Sequence, residues 1–199
     1  AIPMNRVLLG FWYFAPDGSV AAEEDFGSYE KTSDDPLTIE YTFAEDAVWS
    51  DGEAIDCDDA WLSWYSQSGQ TDTFKPVSTD GYEDIDTVEC ADGDKSFSVT
   101  YNKPYADWVA NFGAILPAHV VEQEAGIDDF IAAVEEDDTK GLEAAGDFWT
   151  KGWVFKPGDL PDASLIPSSG PYQLDAWESG NSLTLVANEN YYGDAPEAE

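Results

Sequence analysis

Positive charge is what this sequence lacks most. Eight lysines and arginines stand against 42 aspartates and glutamates in 199 residues, a formal net charge of −34. Such a surface repels nucleic-acid phosphates and anionic lipid headgroups, which excludes both as partners. It reads first as a solvated face that keeps an exposed protein soluble, with a cation-binding role as the alternative. Histidine is nearly as scarce: His119 is the single one, in Leu116-Pro117-Ala118-His119-Val120-Val121, with no nucleophile elbow nearby. A Ser-His-Asp triad cannot be assembled around it, and its place at a predicted helix start suits a structural role. Neither Gly-x-Gly-x-x-Gly nor Gly-x-x-x-x-Gly-Lys occurs, so nucleotide binding has no support. No apolar run approaches the length of a membrane span, and no basic start leads into an apolar signal region. The chain therefore reads as a mature or excised segment, and residues 190–199 end it without a terminating element. Two cysteines, Cys57 and Cys90, are too few for a disulfide scaffold and match no zinc spacing. They permit one bridge, which would close a loop valued at roughly 3 to 4 kcal/mol and would require an oxidising compartment.

What is present is ample material for a core, with 43% hydrophobic and 14% aromatic residues. The apolar run over 7–14, relieved at Gly10 and closed by Ala15-Pro16-Asp17-Gly18, predicts a strand and a turn. Residues 37–43 alternate like a half-buried strand. Asp56 is placed to cap a helix through about Ser66, with Asp58 and Asp59 in its first turn and Ala60, Trp61 and Trp64 on its inner face. Residues 85–90 and 96–101 flank an Asp92-Gly93 turn as a hairpin, and 105–112 has the pattern of a short amphipathic helix. Helical spacing recurs over 119–125, 127–136 and 140–149. A proline-interrupted loop spans 155–169, followed by a second hairpin over 172–177 and 182–187.

Paired carboxylates are the acid and base groups available in quantity, but among 42 their abundance carries no information. The acidic stretches at 80–86 and 92–94 offer oxygen ligands that calcium prefers, yet neither follows an EF-hand loop. Trp49, Trp61 and Trp64 fall on predicted buried faces and read as core, whereas the Phe11-Trp12-Tyr13-Phe14 run suits either core or a ligand surface.

Five segments in order carry a resemblance. Ala47-Val48-Trp49-Ser50-Asp51-Gly52-Glu53-Ala54-Ile55 runs on into Asp58-Asp59-Ala60-Trp61-Leu62-Ser63-Trp64. Lys103-Pro104-Tyr105 follows, then Ile115-Leu116-Pro117-Ala118-His119-Val120, then Ser169-Gly170-Pro171-Tyr172-Gln173-Leu174, and finally Asn188-Glu189-Asn190-Tyr191-Tyr192-Gly193. Together they resemble family 5 of the extracytoplasmic solute-binding proteins of ABC importers, which carry oligopeptides or dipeptides. The sequence departs from the family pattern in its cysteine pair and in Glu189, where proline is usual.

The resemblance implies an α/β (α+β) fold of the periplasmic-binding-protein-like type II class, incomplete here. Residues 1–9 would start domain I, 10–116 would form domain II, and 117–199 would continue domain I, with a third domain to follow. It also implies an extracytoplasmic protein, at the cell surface as a lipoprotein or in the periplasm, and a monomer. Such a protein traps a peptide or similar small solute between two closing lobes and delivers it to a membrane ABC permease, without catalysis, cofactor or metal. The ligand-contact candidates carried over are Ser169 and Gly170, Phe74, Met4 and Asn5, and the cysteines become a local staple between a helix start and a strand. The rival reading is a carbohydrate-binding module or glycosidase fragment, motivated by aromatics and carboxylates; the helical stretch at 119–149 argues against a pure sandwich module.

Overall fold

The computed structural model describes residues 2–194; Ala1 and residues 195–199, the outer ends of the two expected domain I segments, lie outside the described residues. After a 3₁₀ turn at Ile2–Arg6 come β1 (Trp12–Phe14), β2 (Val20–Ala22), β3 (Gly27–Asp34) and β4 (Leu37–Phe43). Helix α1 (Cys57–Gln67) precedes β5 (Ile85–Glu89) and β6 (Ser96–Tyr101). Three helices follow, α2 (Ala118–Ala125), α3 (Phe130–Glu135) and α4 (Thr139–Lys151), and then β7 (Tyr172–Glu178) and β8 (Ser182–Ala187).

The four-stranded antiparallel sheet has the order β3-β4-β6-β5. Alternation along β4 turns Leu37, Ile39, Tyr41 and Phe43 inward, and β6 supplies Phe97, Val99 and Tyr101 to the same face. This core is largely aromatic: the Phe11 ring lies 4.9–5.7 Å from those of Phe26, Tyr41, Phe43 and Phe97, mostly edge to face, the geometry that aromatic quadrupoles favour. A second core joins Leu62 of α1 to Ala118 and Val121 of α2, Phe130 of α3, and Leu142 and Ala145 of α4. Trp49 and Trp64 are buried in the first core, while half-buried Trp61 packs against both. Helix α1 is thus the wall between them.

The predicted α1, β4, both hairpins and the three later helices are present, with α1 capped as expected: Asp56 accepts from the Asp58 N–H, and the Asp59 side chain returns to the Asp56 N–H. The run at 7–14 is not one strand. The Val7 and Leu8 N–H groups donate back to the Met4 carbonyl, Leu9 N–H donates to Ser169 Oγ, and Phe11 N–H to the Phe112 carbonyl, so ladder pairing begins only at Trp12. The helix expected at 105–112 shrinks to a 3₁₀ turn at Trp108–Ala110. Phe112 takes a positive φ of 55°, and its N–H donates to the Tyr82 hydroxyl, which draws the chain away from helical geometry into the core.

Candidate functional site

Three of the motif segments meet at one crossing. Ser169 N–H and Gly170 N–H both donate to the Val7 carbonyl at 3.0 Å, while Ser168 Oγ donates to it at 2.6 Å. Ser169 Oγ accepts from Leu9 N–H at 2.8 Å. The backbones touch here: a Cβ on Gly170 would lie 2.4 Å from the Arg6 carbonyl oxygen, so only glycine fits. From the Trp-Ser-Asp-Gly turn, Ser50 exchanges hydrogen bonds with Ser168. From the last motif, Asn188 Nδ2 donates to the Gly170 carbonyl at 2.9 Å, Asn190 Nδ2 to the Ser50 carbonyl at 2.9 Å, and Tyr192 to the Ser169 carbonyl at 3.1 Å. All this fixes the segment that follows Met4 and Asn5.

Two concavities flank that segment and share Met4 and Leu8. The larger, about 550 Å³, is lined only by apolar residues, among them Leu116, Trp149, Trp153, Phe155, Leu174 and Trp177. The smaller, about 220 Å³, is lined by Asn5, Leu9, Gly10, Trp12, Tyr13, Phe14, Glu23, Gly113 and Ala114 besides the shared pair. Its Trp12 is fixed: Nε1 donates to the Asn111 carbonyl at 3.0 Å, and the ring lies so close to Gly113 that a Cβ there would meet it at 2.5 Å. Tyr13 and Phe14 are 42% and 64% exposed, which settles the aromatic run as core at Phe11 and surface beyond it.

The sequence-predicted contact residues therefore separate. Met4 and Asn5 stand on the concave surface. Ser169 and Gly170 are buried at the crossing, where Ser169 is occupied by backbone partners. Phe74 is buried in the second core, with rings of Tyr65 and Trp149 each at 5.8 Å and Phe130 at 6.2 Å, and lines neither concavity. Sequence reasoning passed over Ser168, Glu23 and Gly113. His119 Nε2 sits 3.0 Å from Asp51 Oδ2, joining the start of α2 to the Trp-Ser-Asp-Gly turn. Among the described residues, no group of three or more His, Cys, Asp or Glu side chains is arranged to hold a metal ion. Cys57 and Cys90 are joined as a disulfide.

Carboxylates crowd the start of α1. Burial, then a hydrogen bond with Asp92, then the charge of Glu122 push Asp58 up to about 9. Burial pushes Glu122 up to about 7, although its Oε1 accepts from Phe130 N–H at 2.8 Å, and Asp129, Asp92 and Asp56 add to the rise. Lys95 and His119 are the positive or protonatable groups near Asp56. Carboxyl groups raised above their unfolded values contribute stability that is complete below about pH 4 and is lost as pH rises through about 7 to 9. The melting temperature is thus expected to fall by several degrees between pH 5 and 9. Glu122→Gln keeps an acceptor for Phe130 and is expected to raise it by a few degrees at pH 9 and hardly at pH 5. A variant whose melting curve follows the wild type at both pH values would refute the assignment.

Residues 20–199 match the family model described as bacterial extracellular solute-binding proteins, family 5 Middle. The chain belongs to this family. Over 194 residues it is 36% identical to an uncharacterized lipoprotein of Mycobacterium tuberculosis (strain ATCC 25618 / H37Rv), covering 94% of this chain and 35% of that protein. It is 28% identical over 201 residues to the oligopeptide-binding protein OppA of the same strain, covering 98% of this chain and 29% of OppA. Among solved structures, the periplasmic EDTA-binding protein EppA superposes with a TM-score of 0.76 at 26% identity, over 96% of this chain and 32% of EppA. The oligopeptide-binding protein AppA of Bacillus subtilis in complex with a nonapeptide superposes at 0.63 and 18% identity, over 96% and 32% of the two chains, and shows the fold alone. The family 5 chain has the periplasmic-binding-protein type II fold in part and spans about a third of the length of these proteins. Its family is extracellular, and an extracytoplasmic setting suits its disulfide.

Proposed function

We propose that the protein captures a small solute, a peptide in the first instance, for delivery to a membrane ABC permease, by trapping it between two lobes of which this chain supplies one. The observation that carries this reading is the family match over residues 20–199, with OppA among the relatives. The crossing at Val7 and Ser168–Gly170, which ties 1–9 to 117–199, supports a division into 10–116 as domain II and 1–9 with 117–199 as part of domain I; Leu62 and Phe74 carry domain II into the second core. Met4 and Asn5 are the proposed ligand contacts, Ser169 and Gly170 hold them in place, and Phe74 acts through the packing of the helices. The protein works as a monomer and, as in its lipoprotein relatives, is attached to the membrane by lipid. It performs no chemistry.

Ligand contacts on both lobes are what favour the closed state, so one lobe alone retains only part of the affinity. In calorimetry with a mixed pentapeptide library, a protein of the relatives' full length is expected to bind at micromolar or tighter affinity, and the 199-residue chain at least about 100-fold more weakly. Equal affinities would sink the two-lobe reading. The EDTA-binding structural neighbour favours a second reading, a small chelate as solute; binding of a metal–EDTA complex with no peptide binding would replace peptides by that class. Hydrolysis of a sugar by the purified protein would overturn both.

A further inference from the structure

The smaller concavity has a composition that selects for charge. Glu23 is its one ionisable carboxylate, beside Trp12, Tyr13 and Phe14. The backbone of Glu23 is fixed: its N–H donates to the Phe11 carbonyl at 3.0 Å, and its carbonyl accepts from Phe26 and Gly27 at 3.0 and 3.1 Å. The neighbouring Asp25 carboxylate is engaged by the Tyr191 hydroxyl at 3.0 Å. No lysine, arginine or histidine among the described residues forms an ion pair with Glu23. An indole ring held rigid, two further aromatic rings and a half-buried carboxylate without a counter-ion form the combination that binds organic cations, through ring quadrupole and charge together.

We propose that this concavity receives a cationic group of the solute, an ammonium or guanidinium, seated against Glu23 and Trp12. The inference rests on the solute-capture reading and names the chemical class that this lobe recognises. Burial, and secondarily the charge of Asp25, hold the Glu23 carboxyl above the usual carboxylate range. An arriving cation reverses that penalty, so ligand and carboxylate stabilise each other's charged forms. The net charge of −34 also raises the local concentration of cations and speeds their encounter. An anionic chelate would meet the opposite field.

The test uses the full-length protein, as wild type and as Glu23→Gln, with matched melting temperatures showing that the half-exposed substitution leaves the fold intact. Pentapeptides carrying lysine are compared by calorimetry with the same peptides carrying Nε-acetyl-lysine. The lysine peptides are expected to bind wild type at least tenfold more tightly, with the advantage shrinking in high salt, and Glu23→Gln is expected to abolish the difference without weakening the acetylated peptides. If both sets bind wild type equally, or the preference survives in Glu23→Gln, the cation site is overturned while solute capture stands. If neither set binds, the peptide reading fails, and benzylammonium against benzyl alcohol, followed by tryptophan fluorescence, decides the site. Glu23-dependent binding of benzylammonium alone supports it; equal response to both compounds overturns it.

Discussion

Asp59→Ala is expected to lower stability by on the order of 4 kcal/mol and the melting temperature by about 10 °C. Asp59 is buried, and its two oxygens accept three hydrogen bonds: from Trp49 Nε1 at 3.1 Å, Asp56 N–H at 3.1 Å and Ala118 N–H at 2.7 Å. One side chain thereby closes the capping box of α1, fixes the tryptophan of the Trp-Ser-Asp-Gly turn and caps α2. That last role matters because α2 begins after Pro117, which offers no side-chain cap of its own. Truncation leaves two buried donors and a partly buried one without acceptors, and the loss spans both cores. Asp59→Asn is expected to fall between alanine and wild type, because its amide nitrogen must turn a donor toward a donor. Asp56→Asn, an exchange between two good N-cap residues, is expected to change little. Denaturant unfolding that places Asp59→Ala within about 1 kcal/mol of wild type would show that water replaces the carboxylate and that α2 is held by packing alone.

The role of Asp59 also marks where sequence reading stops. Its place in the first turn of α1 is local, so spacing and composition revealed it; its bond to Ala118 reaches 59 residues along the chain and has no local signature. The same division runs through the fold. Strand β4 alternates because one face is buried, and was legible. Strand β3, Gly-Ser-Tyr-Glu-Lys-Thr-Ser-Asp, lies at the sheet edge with mostly exposed side chains and has no apolar period to detect. The run at 7–14 has the composition of a strand, yet distant partners, Ser169 and Phe112, take up its N–H groups. Phe74 sits in a loop-like stretch whose burial comes from α3 and α4, which its neighbours in sequence do not announce. Glu23 was hidden by abundance: one carboxylate among 42 acquires meaning only when its surroundings are aromatic and its counter-ion is missing.

Those distant ties make the single disulfide the other large contributor to stability. Cys57, the first residue of α1, is fully buried and bonded to Cys90 just past the end of β5, with Cα atoms 6.2 Å apart and a sequence separation of 33. A loop of that size is valued by the chain-entropy model at about 4 kcal/mol. Replacing both cysteines with alanine is therefore expected to lower the melting temperature by roughly 10 °C. The fold itself should persist, because Cys57 N–H already donates to the Asp94 carbonyl at 3.0 Å and keeps the β5–β6 turn against α1 without the bond. The buried sulfur of Cys57 is shielded from an external thiolate, whose direct attack on a disulfide sulfur is the route by which a reductant opens the bond. Reduction of the native protein at pH 7 is accordingly expected to be slow and to follow opening of this region. Rapid reduction in the absence of denaturant, or a double variant as stable as the wild type, would show that the bridge merely decorates a junction already fixed by hydrogen bonds.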